Sequence, residues 1–200
     1  MRDSIPITDE ELGFRELEQD SLYRKIPEPM KEFYVKESLQ KGREAAGQWR
    51  GKRIQEALEE KGIEVVMKAH QSMEKMVRLR GEICFTKEKS SITVYEDSLQ
   101  SMAEACMALP KGFSISREKC LEVHLAHEFF HYLEFEEGKT VAEKLPKAQI
   151  GKFFGWTRMA SIQQSSEIAA HAFAKEMCGL KVLPNYYDMV YIERQREKKN

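Results

Sequence analysis

His127, Glu128 and His131 stand in the run His127-Glu128-Phe129-Phe130-His131. In a helix, positions four apart differ by about 40° of rotation and one turn of rise, so the two imidazoles share a face and can share a metal ion. Zn2+ takes N, S or O donors at about 2.0 to 2.3 Å in a tetrahedron, and a catalytic site leaves one of the four positions to water. Glu128 lies about 100° around the helix from His127 and about 60° from His131. It is close enough to the metal to take a proton from that water, and too far round to be a third ligand in the same plane.

Five histidines and twenty-eight glutamates in 200 residues make the bare pattern a coincidence that context has to exclude. The flanks, Cys120 to Glu136, supply that context. Leu121, Leu125, Phe129, Tyr132 and Leu133 fall within about 120° of helix surface, and Val123, Ala126 and Phe130 cover most of the rest. Such a helix is buried nearly all round, where titratable groups are costly unless paired or bound to metal. Ser116 is the expected N-cap.

Two histidines on one helix supply two ligands, so a third must come from elsewhere. The segment from Ser165 to Gly179 reads as a second helix, with Ser161, Ser165 or Ser166 as cap, Gly179 as stop and small Ala169, Ala170 and Ala174 for close packing. Glu167, in its first turn, is one candidate ligand. His171, one turn later on the same face, competes as ligand or orients Glu167 or the water from behind. Glu176 lies too far round to share the role of Glu167. Tyr95, His124, His171, Tyr186 and Tyr187 are candidates to stabilise an oxyanion.

The elements that must position these groups form an α+β pattern. Thr8 to Glu11 has the form of a capping box ahead of Leu12, Phe14 and Leu17, and Pro27 and Pro29 end that helix. Helical periodicity resumes from Met30 through Leu58, interrupted by Gly42, Gly47 and Gly51 at up to about 1 kcal/mol each relative to alanine. Gly62 stops the helix and Ile63–Met67 follows as a strand. Glu82–Thr86 and Ser91–Tyr95 flank the polar loop Lys87–Ser90 as a hairpin, and a helix over 99–109 leads toward Ser116. A small, mostly antiparallel sheet beside helices is expected. A free edge of that hairpin above the histidine helix offers backbone groups to an extended peptide.

Residues 29–184 are expected to form one domain, with 1–28 as an N-terminal helical extension and 185–200 as a solvated tail. A net charge of -1 gives no global pull toward nucleic acid or anionic membrane, although Arg194–Lys199 is locally basic and Lys139–Lys152 reads as a basic, solvated loop. The acidic start and the lack of eighteen consecutive apolar residues point to a cytoplasmic protein, for which no membrane and no direct nucleic-acid binding are expected. Cys84, Cys106, Cys120 and Cys178 form no C-x-x-C pair and read as small hydrophobes.

Together, LAHEFFHYL at 125–133 and EIAAHAFAKEM at 167–177 resemble the ImmA/IrrE-type metallopeptidases, with an H-E-x-x-H helix and a later E-x-x-A-N-x-F-A helix. Glu167, Ala170, Phe173 and Ala174 match the second pattern, and His171 stands where the family usually has Asn. The resemblance, over about Met30 to Pro184, implies a zincin-like fold with zinc held by His127, His131 and Glu167, and Glu128 as general base. It implies an endopeptidase acting on one or few protein or peptide substrates, which in that family include transcriptional repressors. The competing expectation is a zinc-binding regulatory or protein-interaction module without turnover.

Overall fold

The structure, a computed structural model, describes residues 7–69, 81–86, 89–107, 109–110 and 112–197. Residues 1–6 of the acidic start, Lys87 and Glu88 of the hairpin loop, Ala108 and Lys111, and 198–200 of the basic end lie outside the described residues.

Local signals account for most of the boundaries. Helix α1, Asp9–Leu17, opens on Thr8, whose hydroxyl accepts from the Glu11 amide while the Glu11 carboxylate accepts from the Thr8 amide. Helix α2, Glu28–Gly47, starts beside Pro27 with Pro29 in its first turn, where a missing N–H costs nothing. After α3, Ile54–Glu60, Gly62 turns at φ 63° into β1, Ile63–Lys68. Strands β2, Gly81–Phe85, and β3, Ser90–Tyr95, follow, and then α4, Glu96–Cys106. The histidine helix α5, Arg117–Glu137, is capped by Ser116, whose Oγ accepts from the Lys119 amide, and ends on Gly138 at φ 74°. Beyond it come α6, Val141–Lys144, then β4, Ala148–Phe153, β5, Trp156–Ala160, α7, Gln164–Cys178, and α8, Asn185–Glu197.

The sheet order is β1-β3-β2, with β2 antiparallel and β1 parallel to β3. The sheet beside the helices is therefore mixed. Ile63 and Ile92 are buried, while the edge strand β1 leaves Val65 and Met67 exposed.

The α2, α5 and α7 helices form the centre of the core. Phe129 of α5 and Phe173 of α7 are fully buried, Trp49 meets Phe129 edge-on at 4.9 Å between ring centroids, and Phe130 lies 5.5 Å from Phe173. Each buried aromatic of this kind contributes about 1.5–3 kcal/mol. Gly42 is the close point between α2 and α7. A Cβ there would collide with the carbonyl oxygen of Ala169 and lie 2.8 Å from the Ala172 Cβ, so the glycine that weakens α2 locally is what allows the helices to touch.

Three expectations need correction. The segments set apart as extension and tail are built into the same core: Leu12 and Leu17 of α1 are fully buried, and Tyr187 of α8 is 3% exposed. The Asn185 amide donates to the Leu12 carbonyl and to Glu16 Oε2, tying α8 to α1. No serine caps α7 by its side chain; its Gln164 amide is satisfied by Asp20 Oδ2, 144 residues earlier. Finally, the stretch read as a solvated loop, Lys139–Lys152, contains α6 and most of β4, and β4 is bound antiparallel to β5 in a hairpin with a register shift at Gln149/Gly151. Its turn is Phe154-Gly155, at φ 46° and 79°, the positive pair of a type I′ turn. For a bulky residue such as phenylalanine that conformation costs roughly 1–2 kcal/mol.

Candidate metal centre

Helix α5 brings His127 and His131 to one face, and the α5–α7 contact brings Glu167 onto it. His127 Nε2 lies 3.2 Å from His131 Nε2 and 3.2 Å from Glu167 Oε2, and His131 Nε2 lies 3.4 Å from Glu167 Oε1. These three residues are the one such His/Cys/Asp/Glu group found among the described residues. In a tetrahedron with metal–ligand bonds of about 2.05 Å, ligand atoms are spaced about 3.3 Å apart. The donor set and its spacing fit a zinc-sized cation, and other N/O-binding divalent metals share that chemistry.

A fourth residue fixes the orientation of the second imidazole. Glu134 is 5% exposed, and its Oε2 lies 3.0 Å from His131 Nδ1. A carboxylate only accepts, so Nδ1 carries the proton and Nε2 faces His127 and Glu167. The other oxygen of Glu134 accepts from Ser166 Oγ at 2.9 Å and from the Val141 amide, and Ser166 Oγ in turn accepts from the Ala142 amide. One buried carboxylate thus joins α5, α6 and α7 at the site. Glu134 was legible in principle, since it lies three residues after His131 on the same helix face.

The electrostatics favour a cation among these groups. Burial pulls the His127 pKa down, and its hydrogen bond to Glu167 only partly offsets this. At His131 burial acts in the same direction but is outweighed by Glu134, Glu167 and the charge of Glu128, which push the imidazole up to about 10. Glu167 is held well below the usual carboxylate range, its burial overcome by hydrogen bonds and charge from both histidines.

The structure separates the other sequence candidates. Glu128 is largely buried, outside the three-ligand group, with Oε1 3.6 Å from Nδ1 of the buried His124. His171 is 5% exposed, with its ring centroid 4.7 Å from that of His127 and its Nε2 3.6 Å from Glu16 Oε2, so it backs the site and is not in the ligand group. Tyr95 and Tyr187 are core residues, and burial pushes the Tyr187 hydroxyl up to about 12. Tyr186 packs against Phe113, and none of these three tyrosines lines the clefts described next. The cysteines are all free thiols, and burial pushes Cys106 up to about 11 and Cys178 up to about 12, leaving both inert near neutrality.

Two clefts meet at Glu167. One, about 490 Å3, runs between α1, α4, α7 and α8 and is lined by His127, Glu167, His171, Glu16 and Tyr191 among others. The other, about 520 Å3, is lined by Ile83 and Phe85 of β2, by His131, Glu134 and Phe135, and by Glu167. Among the described residues β2 pairs only with β3, so a sheet edge borders the second cleft.

No helix among the described residues is long and apolar enough to cross a membrane. Compared with family models, with curated proteins and with solved structures, the chain matches none.

Proposed function

We propose that this chain is a zinc-dependent endopeptidase of the gluzincin type, with a zincin-like fold, acting on one or few protein substrates. The observation that carries the reading is the convergence of His127 Nε2, His131 Nε2 and the Glu167 carboxylate, from two helices far apart in sequence, at 3.2–3.4 Å spacings. The two-helix resemblance to the ImmA/IrrE-type peptidases supports the same ligand set. His127, His131 and Glu167 would hold the ion, whose chemistry when bound is to polarise a scissile carbonyl and acidify a water.

The chain's own residues do the rest. Glu128 accepts the proton of the attacking water at its carboxylate and delivers it to the leaving amine nitrogen. His124, 3.6 Å from Glu128 Oε1, restricts where that carboxylate sits. Glu134 keeps His131 turned toward the ligand group. An extended peptide adds to the edge of β2 by backbone hydrogen bonds, with Ile83, Phe85 and Phe135 receiving its apolar side chains. A protein-sized substrate suits an open cleft bordered by a strand, and a transcriptional repressor is the kind of substrate the family resemblance suggests.

The deciding experiment is metal analysis of the wild type beside Glu167→Ala and His171→Ala, followed by incubation with candidate protein substrates. One zinc per chain, lost with Glu167 and kept with His171, together with cleavage that Glu128→Gln abolishes, supports the peptidase. A second reading, zinc binding without turnover, draws on His171: its buried Nδ1 has no hydrogen-bond partner and its ring lies beside His127. Zinc that needs His171 as well as the other three, with the coordination closed, would favour that reading.

A further inference from the structure

The β4–β5 hairpin is a projecting arm with an anchored base. At its root Leu145, Ala148 and Ile162 are buried, and the Tyr34 hydroxyl of α2 donates to the Pro146 carbonyl at 2.6 Å. Beyond Ile150 the chain leaves the core. Lys152, Phe154, Trp156, Thr157, Arg158 and Met159 are all exposed, with Phe154 at 87% and Trp156 at 81%. Two aromatic side chains at a turn, open to water, are far from the usual fate of such residues.

Charge is distributed just as unevenly. In a chain with 33 acidic residues, the stretch from Lys144 to Ser166 contains none, and it carries Lys144, Lys147, Lys152 and Arg158. Lys144 is paired with Glu137, but among the described residues Lys147, Lys152 and Arg158 form no ion pair. The near-neutral total therefore conceals a local cationic arm whose complement is anionic.

The order of these groups along the arm selects the kind of anionic partner. Trp156 pairs with Phe153 at the turn, Thr157 with Lys152 one pair behind, and Arg158 with Gly151 behind that. Successive pairs are about 3.4 Å apart, so aromatic groups lead and the cations follow within about 7 Å. A lipid interface has that layering, with aromatic rings among the upper acyl chains and long cationic stems reaching back to the phosphates. A nucleic-acid platform would instead set its cations alongside the stacked rings to follow the backbone.

We infer that the β4–β5 hairpin is a membrane-docking arm, which seats Phe154 and Trp156 in the interface of an anionic bilayer while Lys152 and Arg158 engage its headgroups. It attaches the protein to a surface by its tip. The inference is independent of what the metal centre does.

The test is co-sedimentation of the full chain with phosphatidylcholine vesicles, with and without phosphatidylserine, while following tryptophan emission. The chain has two tryptophans, and Trp49 is already buried, so a blue shift on binding reports Trp156. Binding to the anionic vesicles only, weakened by salt, with a blue shift and quenching by brominated acyl chains, is the expected result. Each basic residue at such a surface is worth about fivefold in affinity, so Lys152→Gln with Arg158→Gln should weaken binding roughly thirtyfold. Phe154→Ser with Trp156→Ser should abolish it while circular dichroism and metal content stay as in the wild type. Absence of binding to anionic vesicles, wild-type affinity in the Lys152→Gln, Arg158→Gln variant, binding that survives Phe154→Ser with Trp156→Ser, or binding to an RNA oligonucleotide or a protein in place of vesicles would each overturn the proposal.

Discussion

The Glu134 carboxylate lies 3.0 Å from His131 Nδ1 while its other oxygen holds Ser166 and the Val141 amide, so one buried acid both turns an imidazole of the candidate metal site and closes the junction of α5, α6 and α7. Loss of a carboxylate in this position typically costs 10–100-fold in metal affinity. Glu134→Ala should therefore weaken zinc binding by about that factor in a chelator competition. Glu134→Gln, which keeps an acceptor for Nδ1–H, should lose less. Equal affinity in both variants and the wild type would mean that Glu134 serves the fold alone.

Glu128 and Glu167 should part company when each is replaced. Glu167→Ala removes a proposed ligand and should strip the metal, whereas Glu128→Gln should retain it at full stoichiometry. Removing a general base typically lowers a rate by about 10²–10⁴-fold. Cleavage that survives in Glu128→Gln would remove Glu128 from the proposed mechanism.

At Gly42 two effects have opposite signs. Helix propensity alone predicts that alanine stabilises α2 by about 1 kcal/mol. Overpacking, however, typically costs 1–3 kcal/mol, and here the added Cβ would meet the carbonyl oxygen of Ala169, which cannot swing away as a flexible side chain would. Gly42→Ala should therefore be net destabilising in urea denaturation. Because Ala169 is two residues from Glu167, it should also lower metal affinity. A variant more stable than the wild type would show that the α2–α7 contact yields easily.

Acid should weaken the junction of α1, α7 and α8 through Glu16. Burial raises the pKa of this carboxyl, yet the hydrogen bond and charge of His171 and the Asn185 amide bring it below its ordinary value. A pKa depressed in the folded state gives stability that is fully present above the unfolded value, about 4.3, and lost as pH falls through the folded value. The stability gap between wild type and Glu16→Gln should accordingly be widest near neutrality and shrink as pH falls below about 4.3. Chemical denaturation at a series of pH values measures it, and a gap that stays constant would contradict the assignment.

Features with a short-range cause were legible in the sequence alone. Helical spacing placed His127 and His131 together, the capping box opened α1, Ser116 opened α5, Gly62 and Gly179 ended their helices, and the β2–β3 hairpin followed from two β-rich runs around a polar loop. Each depends on interactions within a few residues, which any chain with those residues makes. The β4–β5 hairpin is also local, but its turn is Phe-Gly, without the Asn-Gly or Asp-Gly signature, and the described residues beyond Ile150 up to Met159 are exposed and give no alternation.

Only the tertiary structure decided which distant groups meet. Asp20 satisfies the first turn of α7, Gly42 receives Ala169, β1 joins β3 in parallel, and α1 and α8 close over Glu16 and Asn185. The third member of the candidate metal-binding group belongs to the same class. Glu167 and His171 share one face of α7, and the spacing along that helix suits either. Packing of α7 against α5 carries Glu167 to both imidazoles and leaves His171 behind His127 against Glu16. Side-chain periodicity fixes direction around one helix axis, whereas the rotation and offset between two axes come from the jigsaw fit of buried side chains, which depends on the whole core at once.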